Sequence, residues 1–395
     1  MKTTIPKILV INSGSSSIKF AFYQNDTALK RGLHGTLERI GLSGTNLSFA
    51  ENEGGKVESI PFNATEYVAT VALFLDWLRE QDGMQSVETV GHRVVHGMKH
   101  TQPEVVTQKL LEELHRISTY DPAHLPGEIE LMEAFRKQYP KLTQVACFDT
   151  AFHHSMPRVA KLLPIPWRYE AMGLKRYGFH GLSYAYLMHE LKRVDPVAAQ
   201  GRVILAHLGN GASLAAVIHG KSIDTSMGFT PTSGMMMSTR SGDLDPGLVN
   251  FLARTENMTP AHFDHLANHE SGLLGLSGTS SDMRDLLELE KKDARAADAV
   301  DLFCYQTKKW IGSFAAALGG LETLIFSGGI GENSPTIRER ICDGLGFLGV
   351  ELDPSRNAIN AELITSDAGR VAGRVFRTDE ELMIARSVNR LLEVK

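Results

Sequence analysis

The sequence predicts an α/β protein built from two similar halves. Length is the first observation: 395 residues exceed one ordinary hydrophobic core and suit two domains. The second is an internal repeat. Ile8 to Lys19 reads as a short apolar strand, a turn at Asn12 and Gly14, the serines Ser15 to Ser17, and a second apolar run from Ile18 to Phe22. Val203 to Ile218 repeats that order: strand, His207, a glycine turn, small polar residues, returning strand. Gly14 and Gly209 lie about half the chain apart, so each half presents one such hairpin. Backbone amides and hydroxyls at a hairpin tip can cradle phosphate oxygens, and glycine lets the backbone approach. An ordinary hairpin with a Ser-rich turn is the alternative for the first stretch.

Composition narrows the class. The chain has a net charge of -5, which argues against a surface that coats nucleic acid or binds an anionic membrane. No apolar run approaches the roughly 18 residues of a membrane span, and the N-terminus is too weakly apolar for a signal peptide. Cys147, Cys304 and Cys342 lack metal-ligand spacing and read as buried thiols in a reducing compartment. A cytoplasmic protein is expected.

In chain order, short strands are expected at Leu47 to Phe49 and Val57 to Phe62. Asn63 and Glu66 then suggest a capping box, with Val68, Val71, Leu75 and Leu78 on one helical face. GHRVVHG, residues 91 to 97, is a Val-rich strand carrying Arg93. A charge inside such a run is costly unless paired, so Arg93 meets either an internal carboxylate or an anionic ligand. Leu110 to Ser118 reads as a helix, Pro122 to Pro126 interrupts, and Ile129 to Gln138 resumes it. Val145 to Phe148 is a strand ending in Asp149, where open α/β sheets place their ligands, or where a turn simply begins.

RYGFHG, residues 176 to 181, sets His180 between glycines. Residues 224 to 247 are rich in Gly, Ser, Thr, Met and Pro, and their methionines argue against disorder. Arg240 lies there near Asp243 and Asp245, its simplest ion-pair partners. A long amphipathic helix is expected from Val300 to Leu318. Thr323 to Phe326 is a strand, SGGIGENS a glycine turn, and the next helix starts near Pro335; strand, glycine turn and helix N-terminus make an anion platform. RTDEELMIAR leads into a final helix whose first turn holds Glu380 and Glu381, either as dipole partners or as a metal ligand.

INSGSSSIKF, GHRVVHG, FDTAFH, RYGFHG, HLGNGAS, DTSMGFTP, MMMSTRSGDLDPG, SGTSSDMRDL, SGGIGENS and TDEELMIAR, in this order across nearly the whole chain, resemble the acetate kinase family. The resemblance implies two duplicated actin-like ATPase (ribonuclease H-like) domains with an interdomain cleft. It implies an N-terminal domain of residues 1–148 plus 383–395, and a domain of residues 149–382 for nucleotide binding and dimerisation. The implied reaction is reversible, direct in-line phosphoryl transfer from ATP to acetate. A propionate or butyrate kinase is one alternative, and a non-catalytic actin-like ATPase another. Acetate is already ionised at pH 7, so the task is positioning and charge stabilisation more than proton removal.

The resemblance also assigns residues. Asp149, His180 and Arg240 would be catalytic, Asp149 orienting Mg²⁺ (or Mn²⁺) and the other two stabilising phosphoryl charge. Arg93 would hold the small carboxylate or the transferring phosphoryl group, with Val95, Phe179 and Pro231 around the substrate methyl. Asn12 and Glu380 would serve the metal. Lys19 and the loop His207, Leu208, Gly209, Asn210 and Gly211 would contact ATP phosphates. Asp282, Met283 and Arg284, with Ile330, Gly331, Glu332, Asn333 and Ser334, would hold adenosine. A homodimer is implied, with no nucleic-acid or membrane partner. The family often reads APLHNPPN where this chain has DPAHLPGEIE, has glycine at Met98, and has Leu-Glu at Thr232-Ser233. These departures bear on acyl-chain preference.

Overall fold

A computed structural model describes residues 6–14, 17–41, 43–64 and 66–393. The expected turn serines Ser15 and Ser16 lie outside the described residues. The chain divides into two compact units. One runs to Ala151 and resumes at Asp379; the other is Phe152–Thr378. The resemblance had put the boundaries after 148 and 382. The structure therefore assigns both Asp149 and Glu380 to the first unit. Asp149 N donates to Val94 O at 2.8 Å, which extends the strand pairing past the expected boundary.

The first unit is built on β1 (Lys7–Ser13), β2 (Ser17–Gln24), β3 (Arg31–Glu38), β4 (Asn46–Ala50), β5 (Glu58–Pro61), β6 (Val87–Val94), β7 (Glu104–Val105) and β8 (Thr143–Phe148). They form one sheet in the order β5-β4-β3-β2-β1-β6-β8-β7. The second unit holds β9 (Arg202–Leu208), β10 (Ala212–Ile218), β11 (Lys221–Thr225), β12 (Thr323–Ser327) and β13 (Ala372–Val375), in the order β11-β10-β9-β12-β13. The series β3-β2-β1-β6-β8 repeats this second order in full. In both, the first three strands are antiparallel neighbours and the last two join in parallel. The repeat in the sequence is thus a repeat of topology. Asn12 faces Lys19 across the first hairpin as His207 faces Ser213 across the second.

Near-continuous apolar runs make the central strands β1, β9, β10 and β12 buried on both faces. Leu9 and Ile11 of β1, with Phe20 and Phe22 of β2, pack on Phe74, Leu75 and Leu78 of helix Tyr67–Arg79 and on Phe135 of helix Leu125–Gln138. On β6, a side chain at Gly91 would stand 2.7 Å from Ile384 and 2.8 Å from Val388. That glycine lets the final helix, Glu380–Glu393, lie directly on the sheet. In the second unit, Leu187 and Leu191 of helix Gly181–Val194 pack on Val203, Leu205 and Ile325.

Local expectations needed correction in places. The Asn63–Glu66 capping box is not formed: the helix starts at Tyr67, Glu66 is its N-cap without a side-chain bond, and Val68 is 60% exposed. Pro126 lies in the first turn of Leu125–Gln138 and opens that helix, because an N-terminal turn needs no proline N–H. The long helix spans Ala294–Leu318, with Asp293 capping the Arg295 amide. Within SGGIGENS, Gly328–Asn333 is itself a helical turn before Pro335–Cys342. Residues 226–246 contain no helix or strand, but Met235, Met236 and Met237 are buried and anchor them. Met98 adopts φ +49°, the left-handed region that favours glycine.

Candidate functional site

The first unit brings together Arg93, Asp149 and Glu128. Arg93 and Asp149 stand at the carboxyl ends of the adjacent parallel strands β6 and β8. Arg93 Nη2 donates to Asp149 Oδ2 at 3.0 Å, and Nη1 donates to Ser13 O at 3.0 Å. Glu128, from helix Leu125–Gln138, places Oε1 3.6 Å from Arg93 Nη1. Its Oε2 accepts from the Val95 amide at 2.8 Å. Arg93 therefore meets internal carboxylates, the first of its two expected environments.

One guanidinium faces two acidic side chains here. Burial opposes the charge on Arg93, but its anionic neighbours, Asp149 first among them, outweigh it and hold Arg93 protonated. For Glu128 burial prevails over Arg93 and the Val95 amide, pushing its carboxyl up to about 8. Asp149 has the shorter, hydrogen-bonded contact with Arg93. Glu128 is the acid that keeps its proton.

Asn12 and Glu380, the expected metal residues, are brought together. Asn12 Nδ2 donates to Glu380 Oε2 at 2.9 Å and to Glu381 Oε1 at 2.8 Å. Glu381, which the sequence offered with Glu380 as a dipole partner or a metal ligand, joins them. Among the described residues no group of three or more His, Cys, Asp or Glu is gathered to enclose a metal. Two carboxylates and an amide are hard oxygen donors. They fit a cation such as Mg²⁺ that takes few protein ligands and keeps its remaining shell for water and phosphate. Lys19 is exposed on β2.

In the second unit, His180 is the N-cap of helix Gly181–Val194, with φ +57°. The Phe179 carbonyl just before it is held by His153 Nε2 at 3.0 Å. The His180 ring stacks on His207 with centroids 4.3 Å apart. His180 Nδ1 meets Ser213 Oγ at 2.8 Å, and His207 Nδ1 meets Ser183 Oγ at 2.9 Å. The other nitrogen of each ring faces the glycine turn. A side chain at Gly211 would stand 3.1 Å from His180 Nε2 and 3.8 Å from Arg240 Nη1, and one at Gly209 would stand 3.9 Å from His207 Nε2. The missing side chains thus leave a space bordered by three cation-capable nitrogens.

Arg240 Nη1 donates to Pro231 O at 3.3 Å and lies 3.6 Å from Met237 Sδ. Asp243 and Asp245, its expected partners, spend Oδ1 on the amides of Gly234 and Gly247. Asn210 is tied to the loop by Ser238, whose amide donates to its carbonyl at 3.1 Å. Leu208 is buried in β9, where Gly328, at φ +76°, packs against its carbonyl. Of the expected methyl-pocket residues, buried Phe179 and Pro231 belong to this unit, and buried Val95 to the first.

The residues expected around adenosine have mixed surroundings. Asp282 caps helix Met283–Leu289, accepting from the Arg284 amide at 2.8 Å; Arg284 is exposed and Met283 buried. Glu332 folds back: its Oε1 accepts from Gly328 N at 2.9 Å and Thr378 N at 3.1 Å, so it braces the loop. Ile330, Gly331, Asn333 and Ser334 complete that segment. Beneath it lies Arg338, fully buried, donating to Gly331 O, Glu332 O and Asn357. Burial pushes its guanidinium down to about 10. Sequence reasoning missed Glu128, Ser183, Ser213, Tyr184 and Arg338. Of these, only Glu128 carried a signal, as part of a stretch that departs from the family pattern.

Known proteins share this organisation. The model of the acetokinase family matches residues 7–386. An acetate kinase of Rhodopseudomonas palustris is 42% identical over 393 residues, covering 98% of each chain. A propionate kinase of Citrobacter rodentium is also 42% identical over 393 residues, covering 98% of this chain and 96% of its own. A crystal structure of Porphyromonas gingivalis acetate kinase superposes with a TM-score of 0.88 at 34% identity, covering 98% of this chain and 100% of that one. With its motifs in order, its duplicated sheet topology and a match over almost its full length, the chain belongs to the acetokinase family.

Proposed function

We propose that the chain catalyses reversible, direct in-line transfer of the ATP γ-phosphoryl group to acetate, giving acetyl phosphate and ADP. The observation that carries this reading is the convergence of His180 Nε2 and Arg240 Nη1 on the space left by Gly211. Donors aimed at one point are what a transferring phosphoryl group requires. In this reading His207 and the turn through Gly211 hold ATP phosphates, and Arg240 and His180 stabilise the oxygens of the group in flight. Arg93 binds the acid's carboxylate, and Asp149 holds the guanidinium in place. Lys19 contacts phosphate. The segments 282–284 and 330–334 hold adenosine. Val95, Phe179 and Pro231 surround the methyl group.

Asn12 and Glu380, with Glu381 beside them, would hold Mg²⁺ or Mn²⁺. The ion supplies neutralisation of phosphate charge when bound. Homodimerisation through the second unit is part of the proposal. Helix Gly247–Thr255 has no buried residue and leaves Phe251 55% exposed, an apolar face suited to a second copy. Three buried free thiols suit a reducing, cytoplasmic setting.

The experiment is an acid series, with acetate, propionate and butyrate, ATP and Mg²⁺, and acyl phosphate trapped as hydroxamate. Acetate is expected to give the highest kcat/KM. A methylene in an apolar pocket is worth about 1–3 kcal/mol, so propionate should remain a substrate. A tenfold preference for propionate overturns the acetate assignment, and ATP binding without any hydroxamate overturns the enzyme reading.

A further inference from the structure

We propose that Tyr184 is a positioning residue for phosphoryl transfer, acting through Ser213 to hold the His180 ring with its proton on Nε2. This rests on the reading that His180 faces the phosphoryl group. Tyr184 grips His180 twice. Its amide donates to the His180 carbonyl at 3.0 Å in the first turn of the helix, fixing a residue whose φ is +57°. Its hydroxyl reaches Ser213 Oγ, which also meets His180 Nδ1 at 2.8 Å. Tyr184 and Ser213 are both fully buried.

Hydrogen-bond arithmetic then sets the tautomer. Ser213 has one hydroxyl proton to give. A phenol is the more acidic of the two hydroxyls, so in the proposed relay Tyr184 donates to Ser213 Oγ, which leaves the single Ser213 proton to point onward at Nδ1. Nδ1 becomes an acceptor, and a neutral His180 must carry its proton on Nε2. That nitrogen faces the space at Gly211, 3.1 Å from where a side chain would begin. The relay thus presents a donor to the incoming oxygen before the substrate arrives. The stacked neighbour is arranged alike. His207 Nδ1 meets Ser183 Oγ, which meets Thr378 Oγ1 at 2.7 Å. The Tyr184 ring is itself wedged between Phe152 and His153, which keeps the relay in register.

The test uses the full chain and Tyr184→Phe, which removes only the hydroxyl. Turnover should fall about tenfold, with KM for acid and ATP changed less than about twofold. Ring ¹⁵N shifts should place the wild-type His180 proton on Nε2, and Tyr184→Phe should mix the tautomers. Ser213→Ala should cost as much, and adding Tyr184→Phe to it should cost nothing more, because the two act in series. Unchanged kcat in a folded Tyr184→Phe, additive losses, or a wild-type proton on Nδ1 would each overturn the relay. Should the wild type form no acyl phosphate from any acid, the functional reading fails, and the ¹⁵N measurement still judges the relay.

Discussion

Glu128 Oε2 accepts a hydrogen bond from the Val95 amide at 2.8 Å while its other oxygen lies 3.6 Å from Arg93. A buried acid thus joins the backbone of one expected substrate residue to the side chain of another. Its carboxyl is pushed up to about 8, chiefly by burial, from 4.5 in the unfolded chain. The folded state therefore binds this proton more tightly than the unfolded state. The stabilisation is full below about pH 4.5 and is lost as pH rises through about 8. Glu128→Gln should flatten the decline in stability between pH 5 and 8.5, as measured by urea unfolding across that range. An identical pH profile in the variant would show that Glu128 is already ionised.

Asp149→Asn keeps the shape of the side chain but removes the charge nearest Arg93. Activity should drop by about two orders of magnitude or more, given what a preorganised charge contributes to such a transition state. Activity assays alongside circular dichroism decide the matter: a folded variant with near-normal turnover makes Asp149 purely structural.

Arg240→Ala should lower kcat about 10²–10³-fold, the usual cost of deleting one donor aimed at developing charge. ATP binding, read by equilibrium titration, should survive, since the turn at Gly209 to Gly211 and His207 remain. Near-normal turnover would exclude a transition-state role.

Arg338→Met should destabilise the protein by about 3 kcal/mol, because the carbonyls of Gly331, Glu332 and Asn357 lose a buried donor. The same variant should raise KM for ATP more than KM for acetate, since the arginine supports segment 328–333. Thermal unfolding and the two KM values test this. Equal changes in both KM values would separate Arg338 from the nucleotide.

Metal dependence offers a further check. If Glu380 serves the metal as proposed, Glu380→Gln should weaken activation by Mg²⁺ and raise the metal concentration needed for half-maximal rate, because a hard carboxylate donor is gone. An unchanged metal titration would return Asn12 and Glu380 to a structural pairing.

Much of the protein was legible in the sequence, and the reason is locality. Alternation, glycine turns and helical spacing are set by neighbours a few residues apart, so β1 and β2, β9 and β10, and the final helix were readable from pattern alone. The hairpin repeat announced a duplicated sheet because both copies keep their apolar and small residues in the same order. The motifs named the candidate site residues. Tertiary structure decided their company. Arg93 and Asp149 are 56 positions apart, and Asn12 and Glu380 are 368 apart. Only the strand order, and a helix that returns across Gly91, brings them together. Tyr184 was invisible as a functional residue for the same reason, and Glu128 was marked only by lying in a stretch that departs from the family pattern. An acid and a phenol on helical faces reveal nothing until the fold shows which amide, guanidinium or hydroxyl each has been buried against.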